Sequence, residues 1–402
     1  MAERTPRNMT DYEAEYAAFQ WDRPERFNFA IDVVDRWATE RPDAPALLHC
    51  DDRGNRKVYS WRELAERSVH AALFLRDLGL RAGDGVFTML PRLAEWWILA
   101  LGCMRANLVL MPGTTMLTGK DVRYRLELGR ARAVVTTAEH LPKFEVGAHA
   151  DVIAWISTDE VPAPWVRFRT QTVDGARSAE FPETAADDRM LVYFTSGTTG
   201  MPKAAVVSHR AMIFRMLVYA LDRPLAREDS YVAWGPLFHM GSTDSTFATL
   251  LRGGKVIIVD GFDAAAIAGI VASEQLGMLH LNSAVIDRFL DHMKRNNLQP
   301  KGMKGVGVMA DLVARQTIAE LTALMNAPYG NTFGSTETGS VPASKGTIPI
   351  GVVPDRLSKV QSSFCELRLV NDSDQDVPNG ERRERRWSVR PACSAAIGAQ
   401  RM

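Results

Sequence analysis

The sequence has few cysteines, and they form no pattern that would bind zinc. Its four cysteines, Cys50, Cys103, Cys365 and Cys393, are far apart and form no CxxC pair. Zinc sites and disulfide-stapled small domains need clustered or regularly spaced cysteines. The sequence therefore excludes both classes and favours a protein of a reducing compartment.

The chain also lacks an excess of charge of either sign and any long apolar run. Its 402 residues include 48 basic and 48 acidic side chains, so we expect no surface adapted to nucleic acid or to an anionic membrane. No stretch approaches the roughly 18 uncharged apolar residues of a membrane span. The polar residues 1–16 have the pattern of neither a signal peptide nor a transit peptide. We therefore predict a cytoplasmic protein without a membrane span.

What the sequence does contain is an alternation of short apolar segments with longer helical patterns. A hydroxyl followed three residues later by a carboxylate predicts a helix start at Ser60 and Glu63, and again at Thr118 and Asp121. Residues 255–259, a lysine and four apolar residues, follow two glycines and are typical of a buried strand. Such alternation predicts mostly parallel sheets covered by helices on both faces.

Length and element order together predict the domain organisation. At roughly 150 residues per domain, a chain of 402 residues forms two or three packed units. We predict an α/β fold of two packed α/β subdomains with mostly parallel sheets, over residues 1–189 and 190–345. An incomplete small β subdomain is predicted to follow over residues 346–381.

Residues 382–402 differ from the rest of the chain in composition. Five arginines fall between residues 382 and 390, and we recognise no period of a helix or a strand there. We predict an irregular, basic tail, and a disordered terminus is its simplest interpretation. A change of reading frame near Arg382 is an alternative hypothesis for the abrupt change.

The most distinctive segment is a loop, FTSGTTGMPK, at residues 194–203. Its glycines let the backbone approach an anion closely, and its hydroxyls and freed N–H groups can donate to phosphate oxygens. The loop leads into an apolar run rather than a helix, which separates it from the Walker loop. A polar surface turn is the alternative interpretation. The residues predicted to contact phosphate are Thr195, Ser196, Gly197, Thr198, Thr199, Gly200 and Lys203.

A second segment, NTFGSTE at residues 331–337, also combines groups that suit a nucleotide. An aromatic ring can stack on adenine, and a glycine leaves room for the nucleotide. A hydroxyl can donate to an α-phosphate where charge develops, and a carboxylate can hold Mg²⁺ against phosphate oxygens. Alone, the segment could be an ordinary loop with a capping threonine. Its candidate site residues are Phe333, Gly334, Ser335, Thr336 and Glu337.

These two segments resemble the two signature motifs of the adenylate-forming superfamily, which contains acyl-CoA synthetases, firefly luciferases and peptide-synthetase adenylation domains. The resemblance implies that the first loop holds the β- and γ-phosphates of ATP. It also implies that Phe333 stacks on adenine, that Thr336 contacts the α-phosphate, and that Glu337 binds Mg²⁺.

A third segment, residues 234–241, resembles the family's aromatic and histidine motif. In the family it lines the pocket for the carboxylate substrate, which makes His239 a candidate catalytic residue beside Thr336 and Glu337. A packed, hydrogen-bonded histidine is the alternative interpretation. Further pocket candidates are Trp234, Phe238 and Met240.

Residues 308–312 stand where the family has a glycine-rich adenine-binding segment. The paired glycines are missing here, and Ala310 is the candidate for contact with adenine. Residues 89–97 and 112–121 are most similar to the medium-chain fatty acyl-CoA synthetase branch. These stretches also suit a core and helix caps, so they support kinship rather than a chemical role.

The resemblance covers residues 25–381 and implies an AMP-forming carboxylate–CoA ligase. ATP would adenylate a carboxylic acid, expected to be a fatty acid, and CoA would then displace AMP. The implied cofactors and partners are ATP, Mg²⁺, CoA and the acid, and a homo-oligomer is compatible with them.

Beyond residue 381 the family has a ribose-binding aspartate, a hinge and a small domain with a catalytic lysine. We find no counterpart of these in residues 382–402. Two alternatives to a complete ligase therefore stay open. One is a remnant that binds nucleotide or acid without turnover, and the other is a fragment that needs a partner chain.

Overall fold

The computed structural model describes residues 11–19, 23–51, 53–170, 179–195, 201–371, 373, 375–377, 386–391 and 400–401, with the backbone alone for the last two ranges. No helix in these ranges is both long and apolar enough to cross a bilayer. A π-helix, Ala30–Asp35, runs directly into the second α-helix. The α-helices are α1 (Tyr12–Ala18), α2 (Arg36–Glu40), α3 (Trp61–Asp77), α4 (Ala94–Arg105), α5 (Gly119–Gly129), α6 (His209–Leu221), α7 (Met240–Leu251), α8 (Ala264–Ser273), α9 (Ser283–Arg295) and α10 (Arg315–Met325).

The strands are short, and most are buried. They are β1 (Pro45–Cys50), β2 (Arg56–Ser60), β3 (Gly85–Met89), β4 (Val109–Pro112), β5 (Ala131–Thr136), β6 (Ala154–Ser157), β7 (Val166–Arg167), β8 (Arg189–Thr195), β9 (Lys203–Ser208), β10 (Tyr231–Ala233), β11 (Val256–Val259), β12 (Leu276–Leu279), β13 (Met303–Val306), β14 (Tyr329–Gly330), β15 (Phe333–Ser335), β16 (Gly339–Ala343), β17 (Thr347–Ile348), β18 (Cys365–Val370), β19 (Arg386–Pro391) and β20 (Gln400–Arg401).

Both helix starts predicted from capping boxes are confirmed. The Ser60 hydroxyl accepts a hydrogen bond from the Glu63 N–H at 3.1 Å, and the Glu63 carboxylate accepts one from the Ser60 N–H at 2.9 Å. Thr118 and Asp121 cap α5 in the same reciprocal way. Each box satisfies N–H groups that the first turn of a helix would otherwise leave without partners.

Two extended sheets form the framework, and most of their strand pairs are parallel, as predicted. The first has the order β20-β9-β8-β4-β3-β5-β6-β7, with antiparallel pairing only at β20, β9 and β8. The second consists of β2-β1-β11-β10 and β12-β13-β14-β17, which a parallel bridge between Ser230 and Leu276 joins. Small antiparallel ladders, β15–β16 and β18–β19, flank this framework.

The two sheets exchange segments along the chain. β1 and β2, from the first 60 residues, lie in the second sheet beside β11. β8 and β9, which span residues 189–208, complete the first sheet. The division of the chain at residues 189 and 345 stays a prediction. With such a division, each of the first two units contributes strands to both sheets.

The structure differs from the irregular tail predicted over residues 382–402. β19 pairs in antiparallel register with β18, and β20 pairs with β9. The available signal was the alternation of apolar Trp387 and Val389 with polar neighbours, a period of two typical of a strand. The five arginines between residues 382 and 390 led us to predict a tail without strands. Residues 378–385 and 392–399 lie outside the described ranges.

The largest hydrophobic cluster packs against both sheets. It includes Val86 from the first sheet and Ile258 from the second, together with Trp97 of α4 and Phe247 of α7, all fully buried. α4 is buried along nearly its whole length. A helix that is apolar on all sides is typical of a layer enclosed by protein, and here that layer connects the two sheets.

Beneath the second predicted motif lies a buried ion pair. The Arg215 Nε lies 3.0 Å from the Asp244 Oδ2, and the Arg215 Nη2 lies 2.9 Å from the same oxygen. The exposed fractions of the two side chains are 1% and 6%. Burial raises the pKa of Asp244, and the charge of Arg215 partly opposes this effect. The charged pair is therefore held by its mutual attraction against a substantial desolvation cost.

The pair joins two helices that follow predicted motifs in the chain. Arg215 lies in α6 and Asp244 in α7. Gly339, at the start of β16, has a φ of +66°, and a Cβ there would lie 2.5 Å from the Arg215 Nε. Burial raises the pKa of the Tyr193 hydroxyl on β8, and the charge of Asp244 adds to this effect. The ion pair thus lies against Gly339, which follows the second motif, and joins the helices after the other two motifs.

We expect Arg215→Met to lower the free energy of unfolding by about 3 kcal/mol, because it leaves Asp244 buried without its counter-ion. The double variant Arg215→Met/Asp244→Leu should recover part of this loss. Urea titrations followed by tryptophan fluorescence would measure both effects.

The exposed ion pair of Arg295 and Asp291 provides the matched control. Arg295→Met should change stability by less than about 0.5 kcal/mol. Additive losses in the double Arg215/Asp244 variant would show that the two side chains are not coupled.

Candidate active site

A cleft of about 560 Å³ lies at the carboxyl edge of the second sheet. Four parallel strands end at it: Trp234 follows β10, His280 follows β12, Gly307 follows β13, and Thr332 follows β14. Ligands of parallel sheets usually bind outside the carboxyl ends of the strands, where the connecting loops diverge. The cleft therefore has the position expected of a ligand site.

The cleft brings together parts of two predicted motifs and of residues 308–312, the segment predicted to contact adenine. His239, Phe333 and Gly334 line it directly, as do two of the three further pocket candidates, Trp234 and Met240. Phe238 is not among the lining residues. Ala310 is fully buried in a short 3₁₀ helix. Its neighbours Met309 and Asp311 face the cleft.

His239 caps the N-terminus of α7 with its own side chain. Its Nδ1 accepts a hydrogen bond from the Gly241 N–H at 3.1 Å. Burial lowers the pKa of His239, and the positive charge of Arg215 lowers it further. The ring is therefore neutral near pH 7, and because Nδ1 is an acceptor, the proton lies on Nε2. In this form His239 can donate a hydrogen bond to an oxygen in the cleft.

The second motif forms a tight hairpin, and two of its predicted site residues have structural roles there. A Cβ at Gly334 would lie 1.9 Å from the Gly339 carbonyl oxygen, so the close approach of β15 and β16 itself requires glycine. The Ser335 hydroxyl lies 3.1 Å from the Thr338 hydroxyl, which also accepts from the Ser335 N–H at 3.1 Å. Ser335 thus closes the turn after β15.

Thr336 and Glu337 lie at the tip of this turn, and both are half-buried. Among the described residues, the Glu337 carboxylate has no hydrogen-bond or ion-pair partner. The same ranges contain no group of three or more His, Cys, Asp or Glu side chains that could hold a metal. Mg²⁺ commonly binds one or two carboxylates plus substrate phosphates, so a lone carboxylate such as Glu337 fits a metal shared with a nucleotide.

The segment without the paired glycines adopts a backbone that glycine would favour. Met309 has a φ of +52°, a left-handed conformation that is uncommon for a residue with a long side chain. Next to it, a Cβ at Gly307 would lie 2.1 Å from the Tyr329 ring. The Tyr329 hydroxyl donates to the Val308 carbonyl oxygen at 2.7 Å. The Tyr329 ring therefore packs against residues 307–309 and holds their backbone in place.

Lys359 links this segment to the second motif. Its Nζ lies 2.5 Å from the Asp311 Oδ2 and also donates to the Asn331 side-chain oxygen. The Asn331 amide donates in turn to the Ser358 carbonyl oxygen at 2.9 Å. We did not predict Lys359 from the sequence, because it lies in the β region after the recognisable motifs.

The predicted phosphate loop, residues 194–203, connects β8 to β9. Thr195 and Lys203 are directly opposite each other in this antiparallel pair, and both are half-buried. The Tyr124 hydroxyl donates to the Pro202 carbonyl oxygen at 2.9 Å, which ties the end of the loop to α5. The predicted phosphate contacts Ser196, Gly197, Thr198, Thr199 and Gly200 lie outside the described residues. Neither Thr195 nor Lys203 is among the lining residues of the cleft.

A cluster of polar side chains in the cleft was missed by sequence reasoning. The His280 Nε2 lies 3.3 Å from the Tyr219 hydroxyl, and its Nδ1 lies 3.5 Å from the Tyr231 hydroxyl. Burial lowers the pKa of His280 to about 3, with a smaller effect from the charge of Arg223. Arg223 stacks on the Tyr219 ring, 4.0 Å from its centroid. The available signal was a histidine inside the short apolar run at residues 279–281.

Two solved structures of similar fold are described as CoA ligases. One, from Rhodopseudomonas palustris, is described as a long-chain-fatty-acid CoA ligase. It matches with a TM-score of 0.79 and 21% identity over 92% of this chain and 89% of its own. The anthranilate CoA ligase AuaEII, solved with anthranoyl-AMP, matches with a TM-score of 0.76 and 19% identity over 89% and 69%. At these identities the likeness supports the fold.

Curated relatives are acyl-coenzyme A synthetases. Rat ACSM4 is 28% identical over 398 residues, which cover 92% of this chain and 66% of the relative. Rat ACSM2 is 38% identical over 204 residues, which cover 47% and 35%. The chain thus spans 66% of the length of ACSM4, a little under two thirds.

These relatives correct the predicted cytoplasmic location. Rat ACSM4 and mouse ACSM1 are both mitochondrial proteins by name, so the prediction is wrong by this comparison. It rested on the polarity of residues 1–16 and on the absence of targeting patterns there, and those features do not determine the compartment in which a protein works.

The family comparison agrees with the motifs and with the fold. The model of the AMP-binding enzyme family matches residues 34–383, most of the chain. This range contains both signature motifs, His239 and the whole cleft. The chain therefore belongs to the AMP-binding enzyme family.

Proposed function

We propose that this protein carries the ATP- and carboxylate-binding part of an AMP-forming acyl-CoA ligase. The observation that carries the proposal is that His239 and Phe333 line the same cleft, at the carboxyl edge of the second sheet. Two motifs that are about one hundred residues apart in the sequence line one cleft large enough for a small-molecule ligand.

ATP would bind across the phosphate loop and the cleft. Thr195, Lys203 and the loop between them would hold the β- and γ-phosphates. Phe333, which is 38% exposed, would stack on adenine beside the segment of Ala310. Glu337 would hold Mg²⁺, an ion that neutralises phosphate charge when bound.

The acid would bind beside His239. The Nε2–H of the neutral ring can donate to one carboxylate oxygen and orient the other. Trp234, Met240 and Met278 give this part of the cleft apolar walls, which suits a substrate with a hydrocarbon or aromatic stem, including the fatty acid expected from the resemblance.

The first reaction needs positioning more than acid–base chemistry, because a carboxylate is already a nucleophile. One carboxylate oxygen would attack the α-phosphorus of ATP, and the bond from this phosphorus to the bridging oxygen would break and release pyrophosphate. Thr336 would donate to the α-phosphate as its charge develops. The sulfur of CoA would then attack the acyl carbon, lose its proton and release AMP, leaving a thioester.

Lys203→Ala should weaken ATP binding about tenfold or more, since it removes a charged donor to the phosphates. Calorimetric titration of the full chain with ATP would measure the change. Lys120→Ala, at an exposed position on α5, is the matched control and should bind ATP like the unaltered protein. Unchanged affinity in a folded Lys203→Ala variant would contradict the phosphate assignment.

Exchange of labelled pyrophosphate into ATP tests adenylation directly. With a panel of short, medium, long and aromatic acids, we expect exchange to depend on the acid and to favour one class. Each assay should use protein whose ATP affinity has been measured. Absence of exchange with every acid, in protein that binds ATP, would contradict adenylation by this chain.

Thr336→Val separates transition-state binding from ground-state binding. We expect ATP affinity to stay within about threefold while the exchange rate falls about a hundredfold, because a donor to developing charge acts mainly in the transition state. Thr39→Val, on the exposed side of α2, serves as the control. Equal losses of affinity and rate would exclude this role for Thr336.

A further inference from the structure

The missed polar cluster occupies the part of the cleft formed by the C-terminal end of α6. Tyr219 lies in the last turn of this helix, and Arg223 follows shortly after it. His280 faces both from the end of β12, and both rings and the guanidinium line the cleft. Tyr231 closes the cluster on the sheet side, with its ring 5.4 Å from that of His280.

Among the charged residues that line the cleft, Arg223 is the one without an oppositely charged partner in the described part of the chain. The charged residues that line the cleft within the described ranges are Arg223, Asp244 and Asp311. Asp244 is paired with Arg215 at 2.9 Å, and Asp311 with Lys359 at 2.5 Å. No carboxylate of the described residues forms an ion pair with Arg223. When the partners Arg215 and Lys359 are counted with the two aspartates, these pairs are neutral, and the positive charge of Arg223 is left over.

The protein itself compensates this charge only weakly. The Arg223 Nη1 donates to the Tyr219 carbonyl oxygen at 3.3 Å, and the guanidinium stacks on the Tyr219 ring. The neighbouring Asp222 forms no ion pair with Arg223 and accepts a hydrogen bond from the Ser344 hydroxyl, although its charge, like that of Tyr219, partly opposes the effect of burial on the pKa of Arg223. Burial lowers the pKa of Arg223, which reports the cost of removing the charge from water. An anion in the cleft would offset that cost.

The surroundings of Arg223 favour an oxygen-rich group. Arginine has a planar set of donors that matches a carboxylate in two parallel hydrogen bonds. Neutral His280 has one N–H, and the Tyr219 hydroxyl can also donate. A purely hydrocarbon chain at this position would offer no acceptor to the Arg223 N–H groups that do not bond to Tyr219, which costs free energy.

We propose that the acid bound in this cleft carries a second carboxylate, which Arg223 holds with the help of Tyr219 and His280. This inference rests on the proposed function, because it assumes that the cleft binds a carboxylic acid. It narrows the substrate class from simple fatty or aromatic acids to dicarboxylic acids. Arg223 would be the specificity-determining residue, and the apolar walls at Met240 and Met278 would contact the stem between the two carboxylates.

Paired acids test the proposal on the unaltered protein. Calorimetry with the full chain, saturated with AMP, would compare hexanoate with hexanedioate, octanoate with octanedioate, and benzoate with benzene-1,3-dicarboxylate. In at least one pair we expect the dicarboxylate to bind tenfold or more tightly. 6-Hydroxyhexanoate, a neutral acceptor on the same stem, should bind less tightly than hexanedioate if charge is what Arg223 recognises.

Substitutions then assign the preference to Arg223. Arg223→Gln keeps hydrogen-bonding capacity but removes the charge, and it should abolish the preference while leaving monocarboxylate affinity within about twofold. Arg223→Lys keeps the charge and should retain a reduced preference. Arg295→Gln, at the far end of α9 from the cleft, should behave like the unaltered protein. AMP affinity and circular dichroism of each variant would establish that it is folded.

The outcomes separate this inference from the proposed function. Equal binding of monocarboxylates and dicarboxylates overturns the inference alone, provided that acids support pyrophosphate exchange. A preference that persists in Arg223→Gln also overturns it. If neither kind of acid binds while ATP does, the acid site of the proposed function and this inference both fail.

Discussion

The buried ion pair of Arg215 and Asp244 is the interaction on which the arrangement of the site depends. The side chains are almost fully enclosed, and they join α6 to α7 beneath the turn that carries Thr336 and Glu337. An apolar pair could fill the same volume at lower desolvation cost. A directional, charged contact instead fixes the relative positions of the helix after the phosphate loop and the helix after His239.

Local features of the fold could be predicted from the sequence because their causes are local. The capping boxes at Ser60 and Thr118 need only residues three positions apart, and the α/β class follows from the alternation of apolar runs. The exchange of β1 and β8 between sheets could not be predicted in this way. Strand order depends on contacts between residues far apart in the chain, and periodicity does not encode which strands become neighbours.

In the site, too, local patterns could be predicted from the sequence and contacts between distant residues could not. The motifs around His239 and Phe333 were recognisable because their residue types and spacing resemble those of the family. Arg223 and His280 carry no such pattern, and they become significant only where α6 and β12 place them in one cleft. Arg215 did leave a signal, as a charged residue within the apolar helix α6. A charged side chain on the buried side of a helix needs a partner, but the sequence does not identify Asp244 as that partner.

The second motif shows why structural and functional interpretations of one segment need not compete. Gly334 permits the close contact of β15 and β16, and Ser335 closes the turn through Thr338. These roles place the Phe333 ring on the cleft and leave the Glu337 carboxylate without a partner among the described residues. A hairpin satisfied by its own glycine and hydroxyl groups can hold an aromatic ring, a hydroxyl and a carboxylate in place before a ligand binds. Such preorganisation lowers the ordering cost that binding and catalysis would otherwise incur.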